Sequence, residues 1–547
     1  METTEPENQD YNLQQPITST TGLRQGLTSY GDAHFSLFLR KVFIKALGYS
    51  EDALSRPIIG IINTGSGFNP CHGNTPQLIE AAKRGIHLNG GIAIDFPTIS
   101  LHEGFSHPTS MFLRNLMSMD TEEMIRAQPV DACIMIGGCD KTVPAQIMGG
   151  ISANKPVLPL LTGPMMPGSH RGERIGACTD CRNNWASFRA GAIDVEEITS
   201  INEELAPTIG TCGVMGTAST MACITAALGL TPLQGASAPA VSAARLRIAE
   251  QTGANAVAAA KEQRTPQQIL SADSFYNAAV VLQAIGGSTN AMVHLMAIIN
   301  RHPDLSGTIN LKTFDDIGRS TPLLVDLKPS GDNYMTDFHN AGGMLSGNIA
   351  PNGAVIKASA SKDKRLLRHR GPAVVFENPR DLAKRLDDPE LEVTADSVLV
   401  LQGIGPIGNP GMPEAGMIPI PRKLAAQGVM DMLRISDGRM SGTAGGTIIL
   451  HVSPESAVPE SPFGVVQTGD MIVCDVEARL LQLDISGEEL QDRTRQREQA
   501  VTESEDSTWR KRRYQRGYRG LYEREVNQAH LGADFEFLTA DGPVVSE

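Results

Sequence analysis

Three of the chain's eight cysteines stand where a thiolate could bind metal. Cys71 lies in Gly67-Phe-Asn-Pro-Cys71-His-Gly-Asn74, Cys139 in Gly137-Gly-Cys139-Asp-Lys-Thr142, and Cys212 in Gly210-Thr-Cys212-Gly-Val-Met-Gly216. Each falls at a loop-to-helix junction, where free backbone N–H groups and the helix dipole favour the thiolate. Spacings of 68 and 73 residues carry no local ligand signature, and burial as a small hydrophobe is the commoner role of a cysteine. That plain role suits Cys133, Cys223 and Cys474, which sit inside apolar patterns. Glycines beside Cys139 and Cys212 instead suggest backbone brought close to a bulky cofactor. Cys178-Thr-Asp-Cys181 is a nominal redox or zinc half-site. It has no second C-x-x-C, so a loop without chemistry is the favoured reading.

A second set is acidic. Asp140 and Lys141 follow Cys139 directly, Glu103 lies in Leu101-His-Glu103-Gly, and Glu414 ends Gly408-Asn-Pro-Gly-Met-Pro-Glu414. Carboxylate oxygens suit Mg²⁺, although each alone reads as a solvated charge. A lysine beside a candidate ligand is unusual for a structural role. The third set is Ser436-Asp-Gly-Arg-Met-Ser441-Gly-Thr443-Ala-Gly-Gly446. A hydroxyl between glycines near an arginine fits an activated serine, and equally an anion-binding turn.

The elements that must position these groups change texture along the chain. Pro57–Ile62, Asp131–Ile136 and Pro156–Leu161 read as buried strands alternating with helical patterns. Asn74 and Pro76 open one such helix, and the small-residue run Thr217–Leu228 is another. The rhythm predicts an α/β layer with a largely parallel sheet, whose ligand crevice lies at the carboxyl ends of its strands. After Gly347 the runs Ser397–Leu401, Gly446–His451, Met471–Val476 and Leu481–Ile485 predict a β-rich, barrel-like domain. Glu488–Arg516 is polar and reads as a solvated helix or linker.

Composition excludes several classes. Lys plus Arg is 47 against 61 Asp plus Glu, a net charge of −14, which disfavours nucleic-acid binding. No apolar run reaches the roughly 18–20 residues of a membrane span. Met1–Thr21 is polar, lacks a signal-peptide core and is too acidic for a mitochondrial presequence. It predicts a disordered leader over 1–25 on a cytoplasmic protein, where cysteines are not expected to build a disulfide framework.

Five motifs then carry a resemblance. Gly138–Thr142, Thr211–Met221, Ala284–Asn290, Gly408–Glu414 and Asp437–Thr443 resemble, in order, the dihydroxy-acid and sugar-acid dehydratase family, over residues 22–540. The resemblance implies an α/β domain over 26–346, a barrel-like domain over 347–547 with a charged helical tail, and a site between them. It also implies a 2Fe–2S cluster on Cys71, Cys139 and Cys212. Mg²⁺ is implied on Glu103, Asp140, Glu414 and a carbamylated Lys141, whose pKa the site must depress. The implied base is Ser441, with Thr443 beside it. The reaction implied is dehydration of a 2,3-dihydroxy acid to a 2-keto acid by a homodimer or homotetramer. The tail Arg516–Leu538, Tyr334–Gly343 and Arg439–Ala444 look like the sugar-acid branch. A branched-chain dihydroxy-acid dehydratase is the first alternative, a thiol or iron–sulfur redox protein the second, and a non-catalytic paralogue the third. Three segments depart from the family's pattern: Gly67–Cys71, Leu101–Glu103 and Gly176–Cys181.

Overall fold

The computed structural model describes residues 13, 16–17, 19–27, 30–322, 324–336, 343–504, 508–511 and 515–540. Four strands, β1 (Ile58–Asn63), β2 (Ile92–Pro97), β3 (Ala132–Gly137) and β4 (Val157–Leu161), form a parallel sheet in the order β2-β1-β3-β4. Their continuous apolar runs follow from burial on both faces. Helix α1 is Ala33–Ala46, α2 Thr75–Leu88, α3 Ser110–Ala127 and α4 Thr142–Ala153. Further on come α5 (Thr179–Arg189), α6 (Val195–Glu204), α7 (Thr217–Ala227) and α8 (Ala243–Glu262). Ile59, Ile61 and Ile134 pack with Leu78, Ile86, Ala249 and Val257 of α2 and α8. Ile58, Ile62 and Met135 point the other way, towards Leu37 of α1 and Ile125 of α3. Alternate residues of one strand thus feed two cores. A small hairpin, β5 (Gly168–His170) with β6 (Glu173–Ile175), precedes α5.

Pro76 sits in the first turn of α2, as expected, with Asn74 before it. The Asn74 side chain does not cap, however. It donates to the carbonyls of Thr162 (2.9 Å) and Ala240 (3.0 Å), tying α2 to the loops behind it.

The later part of the chain forms a closed eight-stranded barrel. Its strands are β7 (Gly343–Gly347), β8 (Ala350–Ile356), β9 (Arg368–Phe376), β10 (Val398–Leu401), β11 (Arg434–Ser436), β12 (Ile448–Leu450), β13 (Met471–Asp475) and β14 (Leu480–Leu483). Ile356, Val375, Val400, Ile435, Ile449, Ile472, Cys474 and Leu483 fill one core within it. The predicted strands near 397–401, 446–451, 471–476 and 481–485 correspond to β10, β12, β13 and β14. The polar run after Glu488 starts as a helix, Gly487–Glu503, with no buried residue.

Most of the expected leader lies outside the described residues. Its end is packed: Gly22–Arg24 form a turn of 3-10 helix, Leu23 is buried, and the Gly22 N–H donates to Asp131 at 2.8 Å. The C-terminal stretch returns to the helices that flank the parallel sheet. The Leu116 N–H donates to the Tyr518 hydroxyl, which donates to the Phe112 carbonyl, and Arg301 pairs with Asp534. Among the described residues no helix is long and apolar enough to cross a membrane.

Candidate active site

The loops leaving the carboxyl ends of the sheet strands carry the candidate residues. The loop after β1 bears Cys71 in a 3-10 turn, Pro70–His72. That after β2 bears Glu103, and that after β3 bears Cys139, Asp140 and Lys141. Cys212 precedes α7, and Cys178 is the N-cap residue of α5.

The thiols converge. Cys71 and Cys139 are buried and hydrogen-bonded to each other. The Cys178 and Cys212 sulfurs stand 3.3 Å apart, and both residues are part-exposed. Cys178 thus stands beside a candidate ligand, a placement that its sequence context did not suggest. The hydrogen bond from Cys139, aided by His102 against burial, holds the Cys71 thiol down at about 6. Cys133, Cys223 and Cys474 are buried, and burial pushes each thiol up to about 12. Two of the segments that depart from the family's pattern meet here, since His102 lies against Cys71 and the Phe68 and Phe105 rings approach to 6.0 Å.

His72 organises this corner. It is fully buried, and burial pushes its pKa down to about 4, so the ring is neutral. Its Nε2 accepts from the backbone N–H groups of Gly138 and Cys139, both at 3.0 Å, while Nδ1 lies 2.9 Å from the Thr64 carbonyl. That arrangement fixes the tautomer and the Cys139 backbone together. Asn69 donates to the Leu101 carbonyl at 2.9 Å, joining the Cys71 and Glu103 loops. Gly138 has a packing reason of its own. A Cβ there would collide with Thr162 Oγ1, in the loop after β4, so close approach to protein already requires glycine.

The acidic residues also converge. Glu103, Asp140 and Glu414 each offer an oxygen within 4.8 Å of the others. Lys141, fully buried, lies 3.4 Å from Glu103 and 3.7 Å from Glu414, and it also contacts Asp140. Arg439 closes the set from the barrel. It donates to Glu414 at 2.5 Å, to Glu103 at 3.2 Å and to Thr109 at 2.7 Å. Thr109 donates to Glu103 at 2.6 Å, and Ser110 donates to it as well. Burial pushes Glu103 up, but Arg439, Lys141 and these hydroxyls outweigh it and hold the carboxyl well below its usual range. Burial wins at Glu414, whose pKa is raised.

Lys141 corrects an expectation. Burial and Arg439 push its pKa down, but Asp140, Glu103 and Glu414 outweigh them, and the net shift is upward. The amine is thus held as ammonium, the opposite of what carbamylation requires. An ammonium amid three carboxylates stands where a cation belongs. The all-oxygen donor set fits Mg²⁺. The converging free thiols fit a soft metal or an iron–sulfur cluster. The two sets adjoin, since Cys139 Sγ lies 3.5 Å from Asp140 Oδ1.

Ser441 sits in the loop between β11 and β12, at this junction. Arg439 on one side reaches the carboxylates. On the other side the Ser441 and Thr443 hydroxyls share a hydrogen bond of 2.7 Å. Thr179 donates to the Thr443 carbonyl at 2.9 Å, and Asn290 donates to the Met440 carbonyl at 3.0 Å. Gly216 is required by this contact: a Cβ on it would lie 2.6 Å from Thr443 Cγ2. All nine candidate residues thus gather at one junction. His72, His102, Thr109, Ser110 and the carboxylate-binding role of Arg439 escaped the sequence reading. Arg439 carried a signal, two positions before the serine, and His102 lay in a segment that departs from the family's pattern.

Known proteins match the chain over most of its length. Residues 56–361 match the family described as Dihydroxy-acid/6-phosphogluconate dehydratase N-terminal, and residues 333–533 match its C-terminal counterpart. The chain is 38% identical to 6-deoxy-6-sulfo-D-gluconate dehydratase of Pseudomonas putida, over 91% of this chain and 93% of that protein. It is 39% identical to L-arabonate dehydratase of Azospirillum brasilense, over 92% and 94% respectively. It is 30% identical to dihydroxy-acid dehydratase of Natronomonas pharaonis, over 84% and 87%. These relatives are dehydratases, and the chain is a hydro-lyase. It belongs to the dihydroxy-acid/6-phosphogluconate dehydratase family.

Proposed function

We propose that the chain dehydrates a sugar acid, of pentonate or hexonate size, to a 2-keto-3-deoxy acid. The carrying observation is the adjoining thiol and carboxylate sets beside the Ser441 loop. Higher identity to the two sugar-acid dehydratases than to the dihydroxy-acid dehydratase supports the branch. Cys71, Cys139 and Cys212 would hold a 2Fe–2S cluster, and Glu103, Asp140 and Glu414 would hold Mg²⁺. When bound, these groups supply Lewis acids for the departing C3 hydroxyl and for the C2 hydroxyl and carboxylate. Lys141 joins the metal set as a carbamate only after losing its ammonium proton, which a cation among the carboxylates would favour.

The chain's own residues do the rest. Ser441 Oγ takes the proton from C2. The C2–H electron pair forms the C2–C3 double bond as hydroxide leaves C3. The resulting enol tautomerises to the 2-keto acid, with no net redox change. A serine alkoxide is costly in water, so the buried cationic charge of Arg439 and the Thr443 hydroxyl must stabilise it. A cytoplasmic, reducing setting and a homodimer or homotetramer belong to the same proposal. Exposed Phe35, Phe38, Val42 and Phe43 on α1 support self-association.

The test is 2-keto acid release by anaerobically purified enzyme with Mg²⁺, over pentonates, hexonates and 2,3-dihydroxyisovalerate. Release from a sugar acid is expected. Release from dihydroxyisovalerate alone would overturn the branch and keep the chemistry.

A further inference from the structure

The cysteine site holds one thiol more than the three-cysteine reading uses. Cys71 and Cys139 form one contacting pair, and Cys178 and Cys212 form a second at 3.3 Å. Two sulfurs on one tetrahedral metal, with metal–sulfur bonds of about 2.3 Å, stand roughly 3.8 Å apart. The second pair is close to that spacing and too long for a disulfide, whose sulfurs stand about 2.05 Å apart. The residues come from elements 34 positions apart, so local sequence does not force the contact. Cys181 reaches Cys178 from the other side, where it packs against Ile175, Ile201 and Leu205 behind α5.

Resting on the reading of Cys71, Cys139 and Cys212 as cluster ligands, we infer that Cys178 is a fourth thiolate of the iron–sulfur site, pairing with Cys212 as Cys71 pairs with Cys139. Two thiolate pairs match the two irons of a 2Fe–2S cluster. Four thiolates leave no iron position open, so Cys178 is a resting-state ligand that withdraws when a hydroxy acid binds. Its setting permits this. Cys178 and Cys212 form the part-exposed pair, whereas Cys71 and Cys139 are buried. Cys178 also precedes the first residue of α5, where a side chain can move without breaking a helical hydrogen bond.

The test compares full-length wild type with Cys178→Ala, Cys178→Ser, Cys212→Ala and Cys223→Ala, each reconstituted anaerobically with iron and sulfide. Iron and sulfide per chain, visible circular dichroism, EPR of the reduced cluster and iron loss to a chelator are read. Cys223→Ala is expected to match wild type, and Cys212→Ala to load poorly. Cys178→Ala is expected to lose iron at least about tenfold faster. Cys178→Ser is expected to shift the dichroism and EPR signals, because oxygen replaces sulfur on iron. A pentonate is expected to change the wild-type spectrum towards that of Cys178→Ala. Wild-type behaviour from both Cys178 variants, with Cys212→Ala defective, overturns this inference alone. Wild-type loading by Cys212→Ala overturns the cluster reading itself.

Discussion

Ser441 and Thr443 share a proton-bearing contact of 2.7 Å, and Arg439 anchors the same loop to Glu103 and Glu414. Replacing Ser441 with Ala removes the proposed base without touching a proposed metal donor. Activity is expected to fall by about 10²–10⁴-fold while metal and iron content stay unchanged. Asp140→Asn reduces the negative charge of the carboxylate set. It is expected to raise the Mg²⁺ concentration for half-maximal activity by about 10-fold or more, read by titrating metal-stripped enzyme. The candidate donors were legible as residue types, because glycine-flanked cysteines and adjacent acids are visible in a linear chain. His72 was not. Its work is to bind the Gly138 and Cys139 backbone N–H groups, a contact between loops 66 residues apart.

Loops, rather than strands, carry the barrel's contribution. Asp437 accepts from the backbone N–H groups of Ile404 (3.1 Å) and Ser456 (2.8 Å), tying the serine loop to the one that ends at Glu414. Glu455 accepts from Ile407 and Gly408 at 2.9 and 2.7 Å. Burial, reinforced by Asp437 and opposed by those N–H groups and Gln528, raises the Glu455 pKa to about 7. The unfolded value is about 4.3. The folded state therefore binds the proton more tightly, and this contribution to stability is lost as pH rises from about 4 through 7. Glu455→Gln is expected to flatten that part of the melting-temperature profile. Gly216→Ala is expected to lower kcat by displacing Thr443, with iron content retained. Helix starts and long apolar strands were readable from pattern. β11, three residues long, and β9, which opens Arg368-His-Arg-Gly-Pro, were not, because barrel pairing rather than local hydrophobicity makes them strands.

Across the whole molecule the tail packs against both α3 and the loop that ends at Glu414. Tyr522 and Phe535 pack with Phe112 of α3 and with Ile407 and Met412 of the Glu414 loop. The Arg301–Asp534 pair is fully buried, with a nitrogen–oxygen distance of 2.8 Å. Asp534→Ala leaves the buried arginine only the more distant Glu122, at 3.9 Å, and is expected to cost about 3 kcal/mol, measured by denaturant unfolding. If α1 forms a subunit interface, Phe43→Glu is expected to yield a smaller species in analytical ultracentrifugation.

The sequence by itself determined the chemistry on offer: soft thiols, hard carboxylates, a glycine-bracketed serine, and the two fold textures that carry them. Residue type and periodicity are local properties, and they survive in a linear reading. Tertiary structure alone decided which donors meet. It brought Cys178 beside Cys212, made Arg439 a partner of two carboxylates, and pushed the Lys141 pKa up rather than down. Each of those outcomes depends on distances between loops far apart in the chain, and on the field of charges that folding gathers around a buried group.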